Sequence, residues 1–223
     1  MTDLLDTNPT IASIAQSNSL MDYSATVVTE NDASDRPAVD DYPFGQPVLV
    51  PVASREGERV AVSVVYTTQI VDPGMGGVGP SLGSGDVTSE FKPNLVSEPT
   101  TVLGIAVLGT ATLDDSADGG IAAPDHGIPR YTLQHGAHVV QAPPETFAAF
   151  HRSDGETPPS GAADGDVRLA YYPRLVEVAG GFAAELVEAI TDRLRATTTG
   201  QDDLLGVIER KVAQQAAQER GVL

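Results

Sequence analysis

Apolar residues in this chain fall into short runs separated by long polar or glycine-rich stretches, and the spacing within each run predicts strands first and helices last. Pro47-Val48-Leu49-Val50-Pro51-Val52 is a proline-bracketed apolar run that suits a buried or edge strand. After a polar connection with a Gly57 turn, Val60 to Val71 is the longest β-branched run of the chain and predicts a strand pairing with the first as an antiparallel hairpin. Residues 101–112 predict a third strand. Ala137-His138-Val139-Val140, or alternatively Tyr131-Thr132-Leu133, predicts a fourth. Glu145 to Phe150, introduced by Pro143-Pro144, reads as a helical turn, and 167–172 with 175–178 read as the strands that close the β section. Short strands with few helices between them point to an antiparallel barrel rather than a βαβ sheet.

The pattern changes at both ends. Residues 1–41 hold eight acids against one base, Arg36, with much Ser, Thr and Asn and little apolar periodicity. Such a stretch buries too little surface to offset its ordering entropy, so it is expected to be a disordered leader, with a short helical turn near Ile11–Ala15. At the other end, Phe182, Leu186, Ile190 and Leu194 recur every four residues and predict an amphipathic helix packed on the rest of the chain. A second helix is expected after a cap at Asp202 or Asp203, with Leu204, Leu205, Ile208 and Val212 as its apolar face. That face either covers the barrel or docks on another subunit as a candidate partner interface. The expected fold is therefore mainly β: a small antiparallel β-barrel over 42–178, a helical extension over 179–223, and the leader before them. Residues 72–99, 114–125 and 155–165 read as loops.

Charge narrows the function. Thirty-one acidic side chains face thirteen basic ones, of which only Lys92 and Lys211 are lysines, for a net charge of −18. Dispersed acids with almost no lysine resemble proteins adapted to extreme salt, where the Debye length shrinks to about 3 Å at 1 M and self-repulsion is screened. An acidic surface for a basic partner is the alternative. No basic stripe exists, so direct nucleic-acid binding is not expected. Cysteine is absent, which removes disulfides, thiolate nucleophiles and Cys-based metal sites. The N-terminus lacks the basic start and apolar core of a signal peptide, and no stretch approaches about 18 apolar residues, so a cytoplasmic protein is expected.

Candidate chemistry is thin. Gly74-Met75-Gly76-Gly77-Val78-Gly79 matches a dinucleotide fingerprint, but Pro80, Gly83 and Gly85 follow where a helix is required. Gly79-Pro80-Ser81-Leu82-Gly83 matches a nucleophile elbow without its strand and helix. No Gly-Lys pair occurs, so no P-loop is present. His126, His135, His138 and His151 lack ligand spacing; His135 and His138 would point to opposite faces of a strand. They read as hydrogen-bonded or surface histidines. Neither a catalytic residue, a metal site nor a cofactor is expected.

One resemblance adds a direction. The strand ending Val107-Leu108-Gly109, a variable loop, Pro129, the turn at His135-Gly136, then Val139 and Val140 leading to Glu145, Phe147 and Phe150 form a texture of apolar and turn positions. Together with the 47–71 hairpin, it resembles the HAS-barrel at the N-terminus of HerA-type DNA translocases, over roughly 42–178. That family's barrel runs into a P-loop ATPase domain; here it runs into two helices. The resemblance implies a non-catalytic accessory subunit, docking on a HerA-like ATPase or its nuclease partner in DNA end processing. A structural or assembly protein of a virus or surface appendage, self-associating as a homo-oligomer, is an alternative. A ligand-binding barrel with the Gly-rich loop as lid is another.

Overall fold

The structure is a computed structural model that describes residues 3–29, 36–54, 57–71, 99–152, 167–197, 205–207, 209, 210 and 214. It is mainly β, with an antiparallel barrel and C-terminal helices, as the apolar pattern predicts. Among the described residues seven strands make the sheet: β1 (Thr10–Ser17), β2 (Asp22–Val27), β3 (Pro47–Val52), β4 (Arg59–Val71), β5 (Thr100–Leu113), β6 (Ile121–Asp125) and β7 (His138–Gln141). Their order is β2-β1-β7-β3-β4-β5-β6, and β2 also pairs with β5, which closes the first six into a barrel. All pairings are antiparallel. Among the described residues they are accompanied by α1 (Asp3–Thr7), α2 (Pro144–His151), α3 (Tyr172–Ala179) and α4 (Ala183–Thr197).

Strand alternation divides the apolar residues between two cores. Val48, Val50 and Val52 of β3, Ala61 and Val65 of β4, and Leu103, Ile105 and Val107 of β5 share the barrel interior with Ile11, Ile14, Tyr23, Ala25 and Val139. The opposite faces of the same strands, Leu49, Val60, Val62, Val64, Ala106 and Leu108, lie under the helices. Burial on both faces is why β4 and β5 read as nearly continuous apolar runs. The interior position between Ala61 and Val65 is held by Ser63, whose buried hydroxyl has no hydrogen-bond partner. Leu133 closes one barrel end, its amide donating to the Tyr23 hydroxyl at 3.1 Å.

The helices follow from their apolar spacing. In α4 the buried residues Ala183, Leu186, Val187, Ile190 and Leu194 form one stripe, and Leu175, Val176 and Ala179 form that of α3. Gly180 ends α3 at φ 53°, a left-handed conformation that costs a side-chain-bearing residue more.

Three expectations are corrected. Residues 10–17 and 22–27 of the expected leader are β1 and β2, the strands that close the barrel. Ile11 and Ile14, then Tyr23, Ala25 and Val27, supply an inward apolar face, and the barrel's other strands supply the partners that offset the ordering cost. The end of the expected 114–125 loop is β6, paired with β5 through Thr110, Thr112 and Leu113. The closing strands expected at 167–172 and 175–178 are absent. Val167 makes an isolated bridge with Arg152, and α3 begins at Tyr172 with Pro173 in its first turn, where the missing amide costs nothing.

Candidate functional site

Among the described residues, polar chemistry comes together at a buried place and at an open one. The buried one sits where β5 passes its outer edge from β2, paired at Val102–Ala106, to β6, paired at Thr110–Leu113. Chain leaving β6 crosses β5 at Gly109, where a Cβ would stand 2.1 Å from the Asp125 carbonyl oxygen and 3.0 Å from the His126 Cα. That approach places His126 against α2, its ring stacked on Phe150 with centroids 4.4 Å apart. His126 Nε2 lies 2.9 Å from the Phe150 carbonyl oxygen and so donates to it, leaving Nδ1 as an acceptor with no partner. His151, on α2, lies 2.7 Å from the Phe147 carbonyl through Nδ1 and 2.7 Å from the Tyr171 hydroxyl through Nε2. A carbonyl only accepts, so Nδ1 carries the proton and Nε2 accepts from tyrosine. Arg174 donates through Nη2 to the His126 carbonyl.

Burial dominates the electrostatics. Desolvation pushes His126 down from its ordinary value to about 4, with Arg168 and Arg174 adding to the fall and the Phe150 hydrogen bond and Asp125 opposing it. Desolvation likewise pushes His151 down to about 3, helped by His126 and opposed by the Phe147 bond. It raises the Tyr171 hydroxyl well above the usual tyrosine range. Both rings are therefore neutral near pH 7, and both nitrogens of His151 are already engaged. Among the described residues no group of three His, Asp or Glu side chains could hold a metal ion. The pair is hydrogen-bonded core, one of the forms the sequence reading allowed. His135 and His138 are exposed.

The open place is a cleft of about 680 Å³ outside the barrel, walled by α1, the entry to β3, the turn from β7 into α2, and the last turn of α4. Leu4, Pro143 and Pro144 line it with apolar surface over the buried Ala142 and Phe147, and Gln46, Gln141 and Arg193 supply polar groups. Sequence reading missed this site because its walls lie far apart in the chain. One signal existed: Arg195 has Asp192 three residues before it, and binds it at 2.8 Å, whereas Arg193 has no acid three or four residues away on either side.

Of the expected interface residues, Leu205 is buried in the chain's own core cluster with Leu194. Leu204, Ile208 and Val212 lie outside the described residues, as do the fingerprint and elbow matches at 74–83.

Fold and sites together define a filled, six-stranded closed barrel buttressed on one side by helices, with an amphipathic cleft at the margin of that buttress. The chain belongs to the family described as Domain of unknown function (DUF8166), whose model matches residues 2–223. No curated protein matches it.

Proposed function

We propose that this protein is a non-catalytic assembly subunit that docks on a partner protein. The observation that carries the reading is the β4–β5 pair, where Ile70 is 77% and Val71 45% exposed at the end of β4. They follow Thr67-Thr68-Gln69, strand residues without charge, in a chain whose net charge is −18, and Asp72 comes directly after them. Exposed apolar side chains beside an uncharged strand segment suit protein contact rather than solvent. The barrel interior meanwhile is filled by apolar side chains, which favours a scaffold over a substrate chamber. The HAS-barrel resemblance over 42–178 directs the choice of partner to a HerA-like ATPase or its nuclease, and in that complex the partner would supply the contacts to DNA. The excess of acids is read as adaptation to high salt, and the location as cytoplasmic. Among the described residues no helix is long and apolar enough to cross a membrane.

Affinity purification of the tagged protein from its native cells in high salt, with co-eluting proteins identified by mass spectrometry, tests this directly. Stoichiometric recovery of a P-loop ATPase or nuclease, lost on Ile70→Asp together with Val71→Asp, is the expected result. Recovery of the bait alone, or of particle components, overturns the ATPase reading and favours a structural protein.

A further inference from the structure

The cleft beside α4 holds a cation in an unusual setting. Arg193 is half-buried, and its Nη2 donates to the Gln46 side-chain oxygen at 3.3 Å, a neutral and long contact. Gln46 is itself held in place by donating to the Pro47 carbonyl at 3.2 Å. A guanidinium has five N–H donors and cannot shed its charge in a protein, so partial burial without an anion leaves attraction unused. The ion pairs among the described residues go to other arginines: Arg152 with Asp118, and Arg195 with Asp192 and Glu209. The desolvation of Arg193 is strong enough to push its pKa down from the ordinary arginine value.

What surrounds it selects the anion. Among the described lining residues Arg193 is the one base and Glu145 the one acid, and Glu145 is exposed. One guanidinium matches one negative charge. A phosphate dianion would need further cations and would face both Glu145 and the net charge of −18. Beyond the guanidinium the lining turns apolar at Leu4, Pro143 and Pro144, with Ala142 and Phe147 buried beneath, and Asn8 and Gln141 already spend amide donors on the Leu4 and Asp41 carbonyls at 2.7 Å. A volume of about 680 Å³ lies within the size range of small-molecule sites, roughly 300–1,000 Å³. We propose that this cleft binds a small organic monocarboxylate, its carboxylate forked on the Arg193 guanidinium and its aliphatic body against Leu4, Pro143 and Pro144. The site is outside the barrel and independent of the docking surface at Ile70 and Val71.

The test is a titration of the full chain with hexanoate, followed through the Arg193 Nε–Hε signal by nuclear magnetic resonance and through heat by calorimetry. Hexanoate should shift that signal saturably. Acetate, which keeps the charge and lacks the aliphatic body, should bind at least about tenfold more weakly, since each buried methylene contributes favourably. Hexylammonium and inorganic phosphate should leave the signal in place. Arg193→Gln should weaken hexanoate about tenfold or more, the loss of a charge-assisted pair, while the urea midpoint stays unchanged. Equal binding of hexylammonium, unchanged affinity in Arg193→Gln, or hexanoate shifts that spare Arg193 would each overturn the assignment. So would a phosphate shift at Arg193 that exceeds the hexanoate shift. Should Arg193→Gln fail to fold, Arg193→Lys and the wild-type Arg193 signal decide the question.

Discussion

His151 is buried completely with both ring nitrogens hydrogen-bonded, and a proton added to Nε2 would displace the one it accepts from Tyr171. The unfolded chain meets no such restriction and binds that proton near the ordinary pKa of 6.5. The folded value near 3 is lower, so stability from the neutral ring is complete above about pH 6.5. It falls as pH drops and is lost by about pH 3. His126 follows the same sign, with its window closing near pH 4. At pH 5 each ring has lost roughly 2 kcal/mol, at 1.36 kcal/mol per pH unit below 6.5. Carboxylates also titrate in this range, so a single curve does not isolate the histidines. The comparison of wild type with His151→Gln does. Between pH 7.5 and 5 the wild type should lose roughly 2 kcal/mol more stability than the variant in urea denaturation. Parallel losses in the two proteins would show that the ring does not titrate on unfolding.

At the scale of elements, the position that organises the outer core is Gly109. The Asp125 carbonyl that its Cβ would strike belongs to backbone, and Asp125 is paired with Thr110, so relief requires breaking the β5–β6 register. Gly109→Ala should destabilise the protein by about 1–3 kcal/mol in urea denaturation, the range for forced overpacking. A change under about 0.5 kcal/mol would mean that β6 slides at little cost. The same elements show what was legible in the sequence. β3, β4 and β5 announced themselves because both faces are covered, and α4 because its stripe repeats at helical spacing. β1 and β2 did not: β2 alternates, but in β1 Ile11, Ala12 and Ile14 are all buried across register shifts that break the period of two, and Ser, Thr, Gln and Asp dominate the rest of both strands. Val167, Val176 and Val178 read as strand by β-branching, yet Leu175, Val176 and Ala179 share a helix face, and packing against β5 overrode the propensity. Of the sites, the histidine pair was visible only as four scattered residues. The cleft was hidden, since its lining residues Leu4, Gln46, Gln141 and Arg193 meet only after the barrel closes.

The closure itself is the property of the whole molecule. The β1–β2 hairpin spans the gap between β7 and β5, pairing Ala12 with Val139 on one side and Ala25 with Leu103 on the other. Without it, β5 over Val102–Ala106 and β7 would present open edges, and Leu103, Ile105, Val107 and Val139 would face water through the gap. The contacts that seal the barrel join residues nearly 80 to 130 positions apart, so they cannot be replaced by local structure. Removal of residues 1–28 is therefore expected to abolish the cooperative urea transition and to expose apolar surface that binds a hydrophobic dye. A disordered leader would behave differently, because its loss would leave the midpoint where it was. Adding the 1–28 peptide back in trans separates the two further. If the hairpin completes the barrel, stoichiometric peptide should restore the transition, and a variant peptide with Ile11→Asp and Tyr23→Asp, which places charge in the interior, should not.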